Sequence, residues 1–402
     1  MRFLIIFAVF ILGCSKKSEL TIAIGGAPQE IEIWEGIIEE FERREGIEVK
    51  IIRQASDTDL RRQHLLLALM AGSRDPDLFL MDVAWVTQFI ESGWLLPLNI
   101  NSEEFFDSSM DIVYRNGNIY AVPINIDCAL LYYRKDLLEK YECDVPKTWE
   151  DLLNCALKAI EKREKPFYGF LWQGAQYEGL VCVFIEFAAS GGGNLSKIYS
   201  KENIKVLRFM KDLIHKYGIS PPDTYSSLKE EEVRLLFQSG MAMFERNWPY
   251  AYSLHLSEDS PVREVFGISL LPKFRGGKNA SCLGGWYLGI SSYSDVKGEA
   301  LKLLKFLTSY KVQSEFVLRL GWNSARRDVM EDLGREYPHI KVIGKACERA
   351  VVRPLKPYYP LFSAILQRYI NSVLSGHLDP EEALKRADEE ISKLEFYYED
   401  LK

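Results

Sequence analysis

From residue 20 onward, short apolar runs alternate with stripes of apolar residues at helical spacing. Leu20-Thr-Ile-Ala-Ile24 is a buried strand that ends in Gly25-Gly26, and Trp34, Ile37, Ile38 and Phe41 recur as one face of a helix that Gly46 is placed to close. Residues 47–52 form a second strand. Asp57-Thr58 then caps a helix whose apolar face carries Leu65, Leu66 and Leu69. Leu78-Phe-Leu-Met-Asp82 is a third strand, apolar up to its last residue. Strands alternating with helices predict α/β layers, each a mostly parallel sheet flanked by helices on both faces. The pattern resumes after residue 128, where Thr148-Trp-Glu-Asp151 opens a helix like a capping box. After Gly284-Gly285 it predicts helices over 299–310 and 313–320, and a charged amphipathic helix over 381–401. No repeat, low-complexity tract or Pro-rich linker separates these blocks. A chain of 402 residues built this way suits two lobes joined by several crossings at a stiff hinge.

The N-terminus changes the picture. Arg2 precedes an apolar stretch, residues 3–12, that is too short to span a bilayer and fits a signal-peptide core. It runs into Ile11-Leu12-Gly13-Cys14 and then the polar Ser15-Lys16-Lys17-Ser18. This resembles a bacterial lipoprotein signal, with Cys14 as the acylated anchor that holds the protein to a membrane after export. Leu12 is bulkier than the small residue usual at its position. Residues 1–17 are therefore expected to be signal and anchor, and the body of the protein to sit in the periplasm or at the cell surface.

Composition narrows the classes of partner. Hydrophobic residues at 47% and charged residues at 27% describe a globular chain. The formal charge is −7, with no basic run or basic stripe interleaved with aromatics, which excludes a nucleic-acid partner. Beyond Cys14 stand Cys128, Cys143, Cys155, Cys182, Cys282 and Cys347, without a CxxC pair or Cys/His zinc spacing. Cys182, inside an apolar run, reads as a small buried hydrophobe. Cys143 and Cys155 flank a turn and can pair, although sequence alone does not set connectivity. There is no P-loop, GxSxG elbow, HExxH or EF-hand loop, the five histidines are scattered, and no cofactor or metal site is implied.

Ligands of open α/β sheets bind beyond the carboxyl ends of the strands. Glu30, Gln54 and Asp82 follow the first three strands, and Asp127 interrupts the apolar run Ile124-Asn-Ile-Asp-Cys-Ala-Leu-Leu131. A carboxylate there costs several kcal/mol unless it is paired or hydrogen-bonded. Arg61 lies near the start of its helix, against the helix dipole. Arg353 stands in the rigid Val352-Arg-Pro-Leu-Lys-Pro-Tyr-Tyr-Pro360 loop, where its planar fork suits bidentate contacts. Tyr177, Trp248 and Trp286 (beside Gly285) are candidate ring platforms. Taken singly, each carboxylate also fits a structural ion pair or cap, each arginine a solvated surface and each ring the core. Together they are the chemistry of a sugar site, since a pyranose offers an apolar C–H face to indole and a rim of hydroxyls to charged groups.

The chain resembles the extracellular solute-binding proteins of ABC importers, family 1, in the trehalose/maltose-binding branch. The likeness runs from about residue 20 to the end. It is carried by Gly25-Gly-Ala-Pro28, Arg53-Gln-Ala-Ser-Asp57, Asp75-Pro-Asp77, Leu80-Met-Asp-Val-Ala-Trp85, Leu130-Leu-Tyr-Tyr-Arg-Lys-Asp136, Arg246-Asn-Trp-Pro-Tyr250, Leu283-Gly-Gly-Trp286 and Gly321-Trp-Asn323. The resemblance implies a two-lobed type II periplasmic-binding-protein fold with a multi-segment hinge, 18–125 with 286–322 forming the N-lobe and 126–285 with 323–402 the C-lobe. It implies a monomer that closes on a disaccharide and docks on ABC importer permease subunits, and no catalysis. The family's sugar contacts fall on Glu30, Gln54, Arg61, Asp82, Asp127, Tyr177, Trp248, Gly285, Trp286 and Arg353. Where relatives often carry tyrosine two positions before the hinge aspartate, this chain has Asn125. The alternatives are a binding protein for an oligosaccharide or polyol phosphate, and a glycoside hydrolase, which would release glucose from maltose or trehalose. Asp82→Ala and Trp286→Ala are each expected to abolish sugar binding and leave the fold intact.

Overall fold

The computed structural model describes residues 19–162 and 167–400; the expected signal segment and Cys14 lie outside the described residues. Strand Leu20–Ile24 is buried along its whole length. Its one polar side chain, Thr21, is satisfied by Asp77, which accepts from both the Thr21 hydroxyl and its N–H at 2.9 Å. This strand pairs in parallel with Val49–Arg53 on one side and Leu78–Asp82 on the other. Leu78–Asp82 next pairs antiparallel with the long strand Ser281–Ile290, which also carries Val122–Cys128 antiparallel and Ala350–Val351 parallel. A second sheet orders Phe266–Leu270, Leu130–Arg134, Ala242–Asn247 and Tyr168–Leu171, with only the last pair parallel.

The two-lobed α/β architecture is thus as expected, but the sheets are mixed where mostly parallel ones were anticipated. The reason lies in the crossings. Only Ala129 separates Val122–Cys128 in the first sheet from Leu130–Arg134 in the second. Ser281–Ile290 runs beside the first of these in the opposite sense, and neighbours running in opposite senses pair antiparallel.

Local signals mostly hold. Gly46 ends the helix Pro28–Glu45 in the left-handed conformation at φ 67°, and Asp57 caps Thr58–Met70 by accepting from the Leu60 N–H at 2.9 Å. Thr148 and Asp151 form the anticipated reciprocal cap on Trp149–Glu161. The helices expected over 299–310 and 313–320 are Lys297–Leu307 and Tyr310–Leu320. The break falls earlier because the Thr308 hydroxyl turns back to the Leu304 carbonyl and Ser309 starts the next helix. Cys143 and Cys155 are joined in a disulfide, and Cys182 is buried.

Helix Glu178–Ser190 is buried on every side, although it holds two glutamates. A buried carboxylate must find partners. Glu186 meets Arg246, at 2.9 Å from Nε and 2.5 Å from Nη2, and Gln173 accepts from the remaining Arg246 nitrogen at 3.1 Å. Glu178 points the other way and belongs to the cleft.

Candidate functional site

Between the two sheets lies a cleft whose empty space, open solvent included, is about 890 Å³. Its walls carry Glu30, Arg61, Asp82, Asp127, Trp248, Gly285, Trp286 and Arg353, which are eight of the ten residues expected there. Gln54 and Tyr177 do not line it. Gln54 follows Val49–Arg53, the edge strand of its sheet. Tyr177 is buried behind the wall, with Lys229 over its ring at 5.3 Å and its hydroxyl beside Glu230.

The two glycines after the first strand make room for the charged groups. A Cβ on Gly25 would stand 2.6 Å from Arg61 Nε, and one on Gly26 the same distance from Glu30 Oε2. Glu30 accepts from the Ala27 N–H at 2.7 Å and from Trp322 Nε1 at 3.1 Å; burial still pushes its carboxyl up. Arg61 donates through Nε to the Ala55 carbonyl at 2.6 Å and lays its guanidinium 4.5 Å above the Trp286 ring. Desolvation pulls it down to about 10.

Trp286 stands at a bulge where Ser281–Ile290 changes register against Val122–Cys128. Gly285 has φ +132°, and a Cβ there would come 2.5 Å from the Asn125 carbonyl, so a side chain would drive the two crossing strands apart. Asn125 is fully buried. It accepts from the Trp286 N–H at 2.9 Å and donates to Asp127 Oδ2 at 2.6 Å. Asn125 is thus a bracket that orients one indole and one carboxylate. Trp248 is supported in the same manner as Trp286. Arg246 lies 4.2 Å from its ring, and Glu230 accepts from its indole at 3.4 Å.

Arg353 joins the walls. Its Nη2 reaches Asp82 Oδ1 at 2.8 Å and its Nη1 reaches Glu178 Oε1 at 2.9 Å, all three side chains being nearly inaccessible. Tyr359 and Ser363 also donate to Glu178. Asp82 doubles as the cap of Val83–Glu91, accepting from the Ala84 N–H at 2.8 Å. Asp82→Ala therefore removes a cap and half of a buried ion pair, so it should lower stability as well as binding.

Beyond the expected set, the cleft gains Glu178, Glu230, Glu231, Tyr250 and Trp322. Six carboxylates and two guanidiniums now face the cavity. Asp127 Oδ1 and Arg353 Nε are buried without a partner among the described residues. Asp127 is pushed up to about 7, first by burial and then by Glu30 and Asp82; Asp59, in a separate cavity on the other side of Glu178, rises to about 7 from burial, Glu178 and Asp57. Both groups hold their protons more tightly folded than unfolded. Stability is therefore highest below about pH 4 for these two groups and declines as pH rises to about 7, where the loss levels off. Asp59→Asn combined with Asp127→Asn is expected to flatten this slope in melting curves taken across pH 4–7, and an unchanged slope would contradict it.

Two lobes with a charged, aromatic-lined cleft between crossing strands define a solute-binding protein. Residues 27–314 match the family described as bacterial extracellular solute-binding protein, and the chain belongs to it. The probable ABC transporter-binding protein of Deinococcus radiodurans is 30% identical over 391 residues, 93% of each chain. The maltotriose-binding protein of Pyrococcus abyssi is 24% identical and aligns over 91% of this chain and 80% of its own. Among solved structures, maltose-bound MalE3 of T. maritima superposes with a TM-score of 0.89 at 37% identity, covering 94% of this chain and 99% of its own. A Thermotoga lettingae ABC transporter solute-binding protein bound with alpha-D-tagatose gives 0.86 at 32%, covering 93% and 99%.

Proposed function

We propose that this protein is the substrate-binding lipoprotein of an ABC sugar importer, anchored through Cys14, and that it closes as a monomer on a neutral disaccharide of maltose or trehalose type. The observation that carries the reading is the pair of indoles in the cleft, Trp248 and Trp286. Each is steadied by a guanidinium that is itself held, and each lines the cleft, where it offers an apolar surface to a sugar ring. Around them, carboxylates and the unpartnered Asp127 Oδ1 and Arg353 Nε suit hydroxyls that both donate and accept. The likeness to a maltose-bound relative at 37% identity supports the same ligand class.

The balance of six carboxylates against two arginines disfavours a phosphorylated polyol, which would meet like charge on every side. The carboxylates bind and do not react. Closure moves the lobe of 18–125 with 286–322 against that of 126–285 with 323–402, about crossings near Asn125–Ile126, Gly285–Trp286 and Trp322–Asn323. Moving from about 1:99 to about 99:1 closed needs roughly 5.5 kcal/mol of preference for the closed state. Charge-assisted hydrogen bonds at ~1.5–3 kcal/mol each, with stacking, supply it. The closed form is the one delivered to the permease subunits.

A thermal-shift panel of maltose, trehalose, maltotriose, tagatose, ribitol and a sugar phosphate tests this reading. A neutral disaccharide at a hundred times its dissociation constant should add about 2.7 kcal/mol of stability and give the largest rise in melting temperature. A panel in which no neutral saccharide shifts the melt, or the phosphate shifts it most, would overturn the assignment.

A further inference from the structure

With Cys143–Cys155 joined, Cys128, Cys182, Cys282 and Cys347 are left as thiols. They are not scattered. Cys182 and Glu186 are one turn apart on Glu178–Ser190 and share a face. Glu186 Oε1 accepts from the Cys282 N–H at 3.2 Å, so that face lies on the strand at Cys282, and the Cys182 and Cys282 thiols meet in hydrogen-bonding contact. The second meeting is held by Asn323. Its carbonyl accepts from the Ile126 N–H at 2.9 Å, and its Nδ2 lies 3.3 Å from Cys347 Sγ. Cys347 is thereby brought beside the end of Val122–Cys128, where its thiol contacts that of Cys128.

We propose that Cys128 with Cys347, and Cys182 with Cys282, are dithiol pairs that oxidise to disulfides, giving three bridges among the six cysteines of the exported body. The oxidant is a low-molecular-weight or protein disulfide. One cysteine thiolate attacks it to form a mixed disulfide and releases one thiol; the second cysteine then attacks the mixed disulfide and releases the other. The new S–S bond gives up two electrons and two protons, and both leave with the two released thiols. Cys128, Cys182 and Cys282 are at most 2% exposed, so the bonds form while the chain folds and are shielded afterwards.

The two bridges bear on the cleft. Cys128–Cys347 ties a hinge-crossing strand to the segment that leads into Arg353. Cys182, itself in the cleft wall, ties the helix that begins at Glu178 to the strand that carries Trp286. The loops closed are roughly 220 and roughly 100 residues, the kind of long loop for which cross-linking constrains the unfolded chain most.

The test uses the full chain, reduced and unfolded, then refolded in a glutathione/glutathione-disulfide buffer, alkylated without reductant and mapped by mass spectrometry. Peptides joined 128–347 and 182–282 are expected beside 143–155. Alkylation of these four cysteines with 143–155 joined, or a 128–282 bridge, would overturn the proposal. As a second reading, reductant should lower the melting temperature of the wild type by several degrees more than that of a variant with all four replaced by serine. Equal drops would also count against it.

Discussion

Arg353→Met is expected to lower the unfolding free energy by about 3 kcal/mol and to remove sugar binding. The side chain is 2% exposed and joins Asp82 to Glu178. Deleting one member of a buried ion pair costs ~3–5 kcal/mol, because the carboxylates left behind are neither solvated nor paired. The lower end applies here. Glu178 keeps its Tyr359 and Ser363 donors, and Asp82 keeps the Ala84 N–H. Binding suffers twice, through loss of the free Nε donor and loss of the tie between walls. Urea unfolding at pH 7 and calorimetry with the best sugar give the answer. Undiminished stability at pH 7, or undiminished affinity, would show that Arg353 is a bystander.

The same arginine shows what sequence can and cannot carry. Its rigid loop, with prolines following it, marks it for bidentate contacts; in the fold it instead bridges two carboxylates with one contact each, Asp82 and Glu178, about 270 and 175 residues away in the chain. No local pattern encodes such a meeting. Asp82 was visible as a polar residue closing an apolar strand, and Asp127 as a carboxylate in a run built for burial. Glu178 carries a related signal, a charge opening a largely apolar helix, whereas the neighbouring Tyr177, a candidate as a ring platform, sits behind the wall. Glu230 and Glu231 read as a solvated acidic helix start, since Lys229-Glu-Glu-Glu232 resembles any exposed first turn. Their cleft role comes from Trp248 and Tyr250, which they meet only after Ala242–Asn247 has folded against that helix. Strand and helix existence was legible because period and capping are local properties. Strand direction was not, since the antiparallel neighbours arise from crossings that pair residues as far apart as Asn125 and Trp286.

Trp286→Ala is expected to weaken sugar binding by roughly 60- to 300-fold while the protein stays folded. The indole lies against Arg61 on one face and meets Trp85 edge-on at 5.7 Å, and it is only half-buried, so truncation leaves solvent-filled space and no sealed cavity. A sugar face covering about 80 Å² of ring is worth ~2 kcal/mol at 25 cal/mol per Å², and directional ring contacts add ~0.5–1.5 kcal/mol. A tenfold change in affinity corresponds to about 1.4 kcal/mol. Trp286→Phe should recover most of the loss, because a smaller ring still offers an apolar face, whereas Trp286→Leu should recover little. Trp248→Ala gives the complementary reading. Its ring covers the buried Arg246–Glu186 pair, so that variant should lose stability as well as affinity through wetting of the ion pair. Calorimetry and melting curves on all four variants separate the effects. If Trp286→Ala bound as tightly as the wild type, the indole would be a wall of the cleft and not a platform, and the sugar would have to be sought on Trp248 alone.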